Sequence, residues 1–290
     1  MNHRELINAL TPLHGAGEAR AIVRMVMEER FGLSQTDLLL GKDTDLSAND
    51  RAELEKIMQR LLAGEPVQHI LGYADFCGHR FHVTPDVLIP RPETEELVRW
   101  AIDAIPRSSS HGYLLDLCTG SGCIAICLAL AYPDAHVIGV DVSEPALSVA
   151  RNNAQSLNAT NVEFINIDLL SQNTSTFNSL LGPKTIAPSF SLLTANPPYV
   201  RASEAADIHP TVLDHEPALA LFVPDEDPLR FYRVIARIGH QCLLPGASLI
   251  VEINAALATE THQLFADFGY GHIIIRNDQF DRPRILKATK

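Results

Sequence analysis

The chain has 290 residues, 46% hydrophobic and 20% charged, with a formal net charge of -12 when histidine is neutral. That length and composition fit one large or two ordinary globular domains, and no apolar run reaches the roughly 18 residues of a membrane span, nor is Met1-Asn2-His3-Arg4-Glu5 a signal peptide, so a cytoplasmic protein is expected. The five cysteines, an odd number with no CxxC pair, argue against a disulfide framework and a structural zinc, and the acidic balance argues against direct nucleic-acid binding.

Leu54, Ile57, Met58, Leu61 and Leu62 recur at helical spacing and make one apolar stripe. Ser47, with Asp50 three residues on, marks the start of that helix, and Gly64 and Pro66 stop it. Ile22, Met25 and Val26 mark an earlier helix, so residues 1–75 read as an N-terminal helical bundle domain. The stretch 76–92 reads as a hairpin turning at Gly78, then a connector stiffened by Pro85, Pro90 and Pro92. Pro92 opens a helix carrying Leu97, Val98, Ala101, Ile102 and Ile105, and a loop follows over Ser108–Gly112. Strands are predicted over Tyr113–Leu117, His136–Asp141, Val162–Asp168 and Ser191–Ala195, with helices over Cys123–Ala131 and after Ser143. A helix over Asp227–Leu243, a strand over Ala247–Ile253, a helix over Leu257–Phe268 and strands over Gly271–Ile275 and Arg284–Ala288 complete the chain. This alternation predicts an α/β domain over 93–290, a mostly parallel sheet with helices on both faces.

Asp116-Leu117-Cys118-Thr119-Gly120-Ser121-Gly122 follows the first of these strands. Gly120 and Gly122 permit a tight turn and close approach of a ligand to the backbone, beyond the strand's carboxyl end. Asp141 ends the next strand, where its carboxylate can accept both hydroxyls of a ribose. Gly120-x-Gly122-x-x-Ala125 fits a nicotinamide dinucleotide as well as S-adenosylmethionine. Asp116 shifts the balance to the latter: it can receive the ammonium of a methionine moiety, whereas beside a pyrophosphate it is repelled.

Asn196-Pro197-Pro198-Tyr199 follows the fourth strand. Neither proline has an N–H, and each residue before a proline is biased to extended geometry. The segment therefore offers carbonyl acceptors with few donors, and Asn196 adds a side-chain carbonyl. An amide or exocyclic NH2 group has two N–H donors and a delocalised, weakly nucleophilic lone pair. Two acceptors aimed at those hydrogens hold the group, direct the lone pair at a methyl carbon and stabilise the developing charge. Tyr199 can pack against the flat group. A nicotinamide enzyme has no use for this element, so S-adenosylmethionine is the expected cofactor and S-adenosylhomocysteine the product. A nucleobase amine presents the same donors, but must be extracted from its stack, and no basic, aromatic-interleaved segment is present. A regulator that only binds a nucleoside gains nothing from acceptors aimed at a second substrate. His209, Asp214, His215 and Glu216 match no metal-ligand spacing and read as loop polar groups, so no metal site is expected. Cys123 and Cys127, one helical turn apart, read as small side chains packing on the sheet.

Asp116–Gly122, Asp141 and Asn196–Tyr199 together resemble the motifs of class I, Rossmann-like methyltransferases acting on planar nitrogen. More narrowly, Phe81–Glu95 resembles the connector of the HemK/PrmC family, the release-factor glutamine N5-methyltransferases. His215–Leu221 matches that family's segment after the Asn-Pro-Pro-Tyr motif, and the similarity covers essentially the whole chain. The resemblance implies an N-terminal domain that docks the protein substrate and a methyltransferase catalytic domain. It implies S-adenosylmethionine as methyl donor and, as acceptor, the glutamine of the Gly-Gly-Gln motif in class I peptide chain release factors. By the same resemblance Cys118, Thr119, Gly120, Ser121, Gly122 and Asp141 hold the cofactor, and Asp168 and Leu169 flank the adenine. Asn196 touches both cofactor and glutamine, and Pro197 supplies a backbone carbonyl; Pro198 and Tyr199 complete the catalytic motif. Cys118 replaces a family glycine, which implies a backbone conformation tolerable to a side chain. The stretch 170–190 is longer than usual, and Asp225–Leu229 replaces a more glycine-rich segment. A nucleic-acid adenine or cytosine, or a glutamine of another translation protein, stands as the alternative acceptor.

Overall fold

In a computed structural model the chain is described over residues 2–105, 112–171 and 190–290. The loops read at 108–112 and 170–190 fall almost wholly outside those residues. The chain divides into two compact units, Met1–Tyr73 with Ile208–Glu216, and Ala74–Asp207 with Pro217–Lys290.

The first unit is helical: α1 His3–Phe31, α2 Gln35–Leu39, α3 Ala48–Leu62 and α4 Val67–Leu71. Asn2 caps α1 by accepting the Glu5 N–H at 3.0 Å, and Glu5 returns the bond. Gly15, at φ 75°, divides α1 into two helical stretches, since a left-handed residue cannot continue a right-handed helix. Ser47 caps α3 as expected, accepting the Asp50 N–H at 3.1 Å. The α3 stripe buries Leu54, Ile57, Met58 and Leu61 with Leu6, Leu10, Ile22, Val23 and Val26 of α1, while Leu62 stays exposed. Each such burial contributes roughly 1.5–3 kcal/mol. The histidine-rich segment differs from its loop reading. Pro210–His215 is a short helix of this unit, because Pro210 presets its first turn and the His209 ring accepts the Thr211 N–H at 3.3 Å. His209 also stacks on His14, ring centroids 6.1 Å apart.

The second unit takes in, from Ala74 on, the hairpin β1 Tyr73–Phe76 and β2 His79–His82, turning through Cys77 and Gly78 at φ 50° and 77°. Two left-handed residues match the twist of the flanking strands. Pro92 is the first residue of α5, Pro92–Ala104. Then come β3 Tyr113–Leu117, α6 Cys123–Ala131, β4 His136–Asp141, α7 Glu144–Ser156, β5 Val162–Asn166 and β6 Phe190–Ala195. β7 Val200–Arg201 and β8 Phe222–Val223 pair with each other as a separate two-stranded sheet. β9 Leu243–Glu252, β10 Gly271–Asn277 and β11 Pro283–Thr289 end the fold, with helices Arg230–Cys242 and Ala258–Asp267 on either side of β9.

Among the described residues the sheet has seven strands in the order β10-β11-β9-β6-β3-β4-β5. The five from β9 to β5 are parallel, and β11 runs antiparallel to β9 and β10. β3 is central and buried on both faces, Leu114 in one apolar cluster and Leu115 and Leu117 in the other. Cys123 and Cys127 pack in the first cluster, as their spacing predicts. Strand order reverses between β3 and β6, and the crevice beyond the carboxyl ends at such a switch point is where open α/β sheets bind ligands.

Several boundaries differ from expectation, three of them with a clear local cause. β5 stops at Asn166, because Asp168 caps a turn by accepting the Leu170 N–H at 2.9 Å. The helix expected from Asp227 starts at Arg230, after a turn in which the Asp227 N–H bonds Pro224. β9 begins at Leu243, where it pairs with Phe190. Among the described residues no helix is long and apolar enough to cross a membrane.

Candidate active site

At the carboxyl edge of β3, β4 and β6 lies a cavity of about 250 Å³. Its wall includes Cys118, Thr119, Gly120, Ser121, Asp141, Asp168, Leu169, Asn196 and Pro198. Three sequence motifs far apart in the chain therefore meet at one site.

The glycine loop is shaped by its backbone. Thr119 N–H donates to the Val140 carbonyl at 3.0 Å, and Gly122 N–H donates back to Thr119 at 2.9 Å. Gly120 and Gly122 lie at φ 54° and 79°. A Cβ on Gly122 would stand 3.0 Å from Ala150 Cβ and from Phe164 Cζ, so this glycine serves packing beneath the cavity rather than its wall. Cys118 lies at φ 58°. That corrects the expectation of a backbone tolerable to a side chain: the turn is left-handed here, at a cost of about 1–2 kcal/mol for any residue with a Cβ. The thiol packs beside the apolar cluster of Leu115 and Leu117, and burial pushes it well up, so it stays protonated.

Asp141 accepts the Ser143 N–H at 2.9 Å on one oxygen and the Gly120 N–H at 2.8 Å on the other. A carboxylate has about four acceptor directions, so capacity remains for a hydroxyl donor in the cavity. Burial pushes its carboxyl up, and the backbone donors oppose that. Asp116 lies beneath the cavity and not in its wall: it is 0% exposed, with Thr119 Oγ1 at 2.6 Å and Thr194 Oγ1 at 2.8 Å as donors. Its carboxyl is pushed up to about 7, chiefly by burial.

Asn196 stands in the wall at the end of β6, its Nδ2 3.3 Å from Thr94 Oγ1. Pro197 is buried outside the wall. Tyr199 is turned inward, away from the role of packing on a flat substrate group. Its hydroxyl donates to Glu252 Oε1 at 2.8 Å, and burial together with that carboxylate pushes the phenol well up. Among the described residues no group of three or more His, Cys, Asp or Glu is placed to hold a metal ion.

Comparison with known proteins fits this geometry. The PrmC N-terminal domain family matches residues 6–72, and a methyltransferase domain family matches 108–196. A release factor glutamine methyltransferase of Bacteroides thetaiotaomicron is 42% identical over 97% of this chain and 96% of its own. One of Flavobacterium psychrophilum is 37% identical over 99% and 98%. The chain belongs to the release factor glutamine methyltransferase family. The solved methyltransferase domain of METTL16, at 17% identity and TM-score 0.51, covers 78% of this chain and 95% of its own, and shares the fold.

The cavity wall takes in more of the connector than the sequence motifs mark. Asp86, Val87, Leu88, Pro90, Arg91 and Thr94 line the cavity. Behind Thr94 lies Glu252, the last residue of β9, 2% exposed and 2.7 Å from the threonine hydroxyl. Its position was readable: like Asp116 and Asp141 it is an acid at the carboxyl end of a parallel strand. Asn153 of α7 was missed for want of any motif. Its amide bonds the His82 backbone at 2.7 and 3.0 Å and the Ser121 carbonyl at 2.9 Å, tying the hairpin to the glycine loop.

Proposed function

We propose that this chain transfers a methyl group from S-adenosylmethionine to the side-chain amide nitrogen, N5, of the glutamine in the Gly-Gly-Gln motif of class I peptide chain release factors. The observation that carries the reading is Asn196 in one cavity wall with Asp141 and the Cys118–Ser121 loop, in a family whose relatives bear that activity's name.

Asp141 fits a ribose, since its carboxylate in the cavity wall keeps acceptor capacity for hydroxyl donors. Gly120, with no atom within 4 Å of a would-be Cβ, leaves room for a ligand against the backbone. Cys118, Thr119, Gly120, Ser121 and Gly122 form the loop around the cofactor, and Asp168 and Leu169 flank its adenine. When bound, S-adenosylmethionine supplies an electron-poor methyl carbon on a sulfonium. Asn196 accepts one N–H of the glutamine amide, and the backbone carbonyl of Pro197, whose ring lies outside the wall between the wall residues Asn196 and Pro198, accepts the other. Both acceptors gain strength as positive charge develops on that nitrogen, which is the condition for lowering the barrier. Pro198 holds the segment extended. An N-methylated amide cation loses its proton readily, so the site needs no dedicated base. Asp116 supports Thr119 from beneath and adds negative potential under a cationic ligand.

Residues 1–75 dock the release factor, 76–92 connect, and 93–290 carry the chemistry. What supports docking is a groove in the helical unit lined by Arg4, Arg20 and Arg24 beside Leu38 and Leu39, with Leu39 71% exposed. Release factors act in the cytoplasm, where this chain would meet them. The test is mass spectrometry of release factor from cells with and without this protein. One extra methyl on the Gly-Gly-Gln glutamine only in the former is expected; identical peptides from both would overturn the proposal.

A further inference from the structure

A row of polar side chains stands behind Asn196. Thr94 Oγ1 lies 3.3 Å from Asn196 Nδ2 and 2.7 Å from Glu252 Oε2. The other Glu252 oxygen lies 2.8 Å from the Tyr199 hydroxyl, which in turn lies 3.2 Å from Arg284 Nη1. Thr94 and Glu252 are each 2% exposed.

The direction of each bond follows from what each group can do. A guanidinium only donates, so the Tyr199 oxygen accepts from Arg284 and sends its single proton to Glu252. Burial pushes the Glu252 carboxyl up, against two hydroxyl donors and the Arg284 charge. Each of its oxygens accepts a hydroxyl proton, from Tyr199 at 2.8 Å and from Thr94 at 2.7 Å, so Thr94 spends its one proton on Glu252. Only lone pairs on the Thr94 oxygen then remain for Asn196, which must turn its NH2 group to them. The carbonyl branch of the same planar amide is thereby directed to the cavity side.

We infer that Arg284, Tyr199, Glu252 and Thr94 form a one-way donor chain that fixes the Asn196 amide with its carbonyl toward the substrate, making Thr94 and Glu252 positioning residues for methyl transfer. An unrestrained amide can flip, and a flipped Asn196 presents N–H donors to the two N–H donors of the acceptor amide. The chain also accounts for a buried glutamate outside the cavity wall: a buried carboxylate is costly unless every oxygen is bonded, and here both are. The inference rests on the amide-acceptor reading above.

The test compares Thr94→Val, which keeps shape and loses the hydroxyl, with Thr94→Ser, which keeps the hydroxyl. Release factor methylation is measured at saturating S-adenosylmethionine, with S-adenosylhomocysteine affinity and melting temperature for each variant. Thr94→Val is expected to lower kcat about 10- to 100-fold, with release factor KM and S-adenosylhomocysteine affinity within about twofold of wild type. Thr94→Ser is expected to recover most of the loss. Glu252→Gln is the second probe, because its NH2 can donate to Thr94 and release the threonine proton toward Asn196, removing the bias on the amide. It should lower kcat at least as far, and it carries the test alone should Thr94→Val not fold. A wild-type kcat in Thr94→Val or Glu252→Gln overturns the inference, as does a serine variant no better than valine. Loss of cofactor affinity in step with kcat overturns it too. A wild type that leaves the glutamine unmethylated overturns the acceptor reading itself, and the inference with it.

Discussion

The Gly120 N–H donates to the Asp141 carboxylate at 2.8 Å, tying the acid that ends β4 to the loop that follows β3. With Ser143 holding the other oxygen, the carboxylate is fixed by backbone before any ligand arrives. Little ordering is left to the moment of binding, which is the physical content of a preorganised site.

Asp141→Ala should therefore weaken S-adenosylmethionine and S-adenosylhomocysteine alike, by about 1.5–3 kcal/mol per lost bond to a charged acceptor. Calorimetry measures this directly. Unchanged affinity in the variant, or binding of NAD by the wild type, would contradict the cofactor assignment.

The two acids near the loop give a proton-linked signature. Burial raises the Asp141 carboxyl and holds Asp116 at about 7. A sulfonium nearby favours their charged forms, so S-adenosylmethionine binding near neutral pH should release protons, and S-adenosylhomocysteine, without that charge, should release fewer. The heat of binding should then depend on buffer ionisation enthalpy more strongly for the former. No difference between the ligands would count against a cation above these acids. The same shift has a stability sign. Folded Asp116 keeps its proton up to about 7, whereas an unfolded aspartate loses it near about 3.9. Its contribution is thus most favourable below about 3.9 and is lost as pH rises to about 7. Asp116→Asn should flatten that slope in melts between about pH 4 and pH 8; an unchanged slope would assign the linkage to other groups.

The two glycines of the loop should separate on substitution. Gly122→Ala meets Ala150, Phe164 and Ile126 at 3.0–3.1 Å and also keeps φ 79°. It should lose about 2–4 kcal/mol of stability from overpacking and backbone strain together. Gly120→Ala meets nothing within 4 Å, so it should lose only the strain, about 1–2 kcal/mol, and show its main effect in cofactor affinity. Equal melting temperatures for the two variants would contradict this division.

In the helical unit, Arg20 and Arg24 are one turn apart, a like-charge pairing that costs a helix a few tenths of a kcal/mol. Neither has an ion pair among the described residues. Arg20→Glu with Arg24→Glu should raise KM for intact release factor about tenfold or more, through reversed charge along the proposed docking groove. Cofactor affinity should not move. An unchanged KM would remove this face from docking. Deleting residues 1–72 is the poorer experiment, since it also strips the partners of the helix Pro210–His215.

Sequence periodicity and motif order anticipated the sheet, the hairpin and the convergence of the Asp116, Asp141 and Asn196 segments, because each rests on local rules: alternation, glycine at a tight turn, proline at a helix start. What stayed hidden depends on tertiary partners. That Asp116 sits beneath the cavity and not in it follows from Thr119 and Thr194 capturing its oxygens, and Thr194 is 78 residues away. Tyr199 faces Glu252, 53 residues on, and no spacing rule reaches that far. The left-handed Cys118 was obscured because a side chain usually signals an ordinary backbone, whereas here the fold of the loop overrides that preference. The helix Pro210–His215 had its proline cue, but six residues carry too little periodicity to be read.

The measurement that tests the account most directly is transfer of labelled methyl groups to a release factor containing Gly-Gly-Gln, by wild type and by Asn196→Ala, at saturating S-adenosylmethionine. A factor with that glutamine replaced by alanine is the blank. Wild type should label the intact factor and not the blank, and Asn196→Ala should fall about 100- to 1000-fold in turnover, the usual cost of removing one preorganised electrostatic partner. Near wild-type turnover in Asn196→Ala, or equal labelling of the blank, would contradict the claim that this asparagine holds the glutamine amide for methyl transfer.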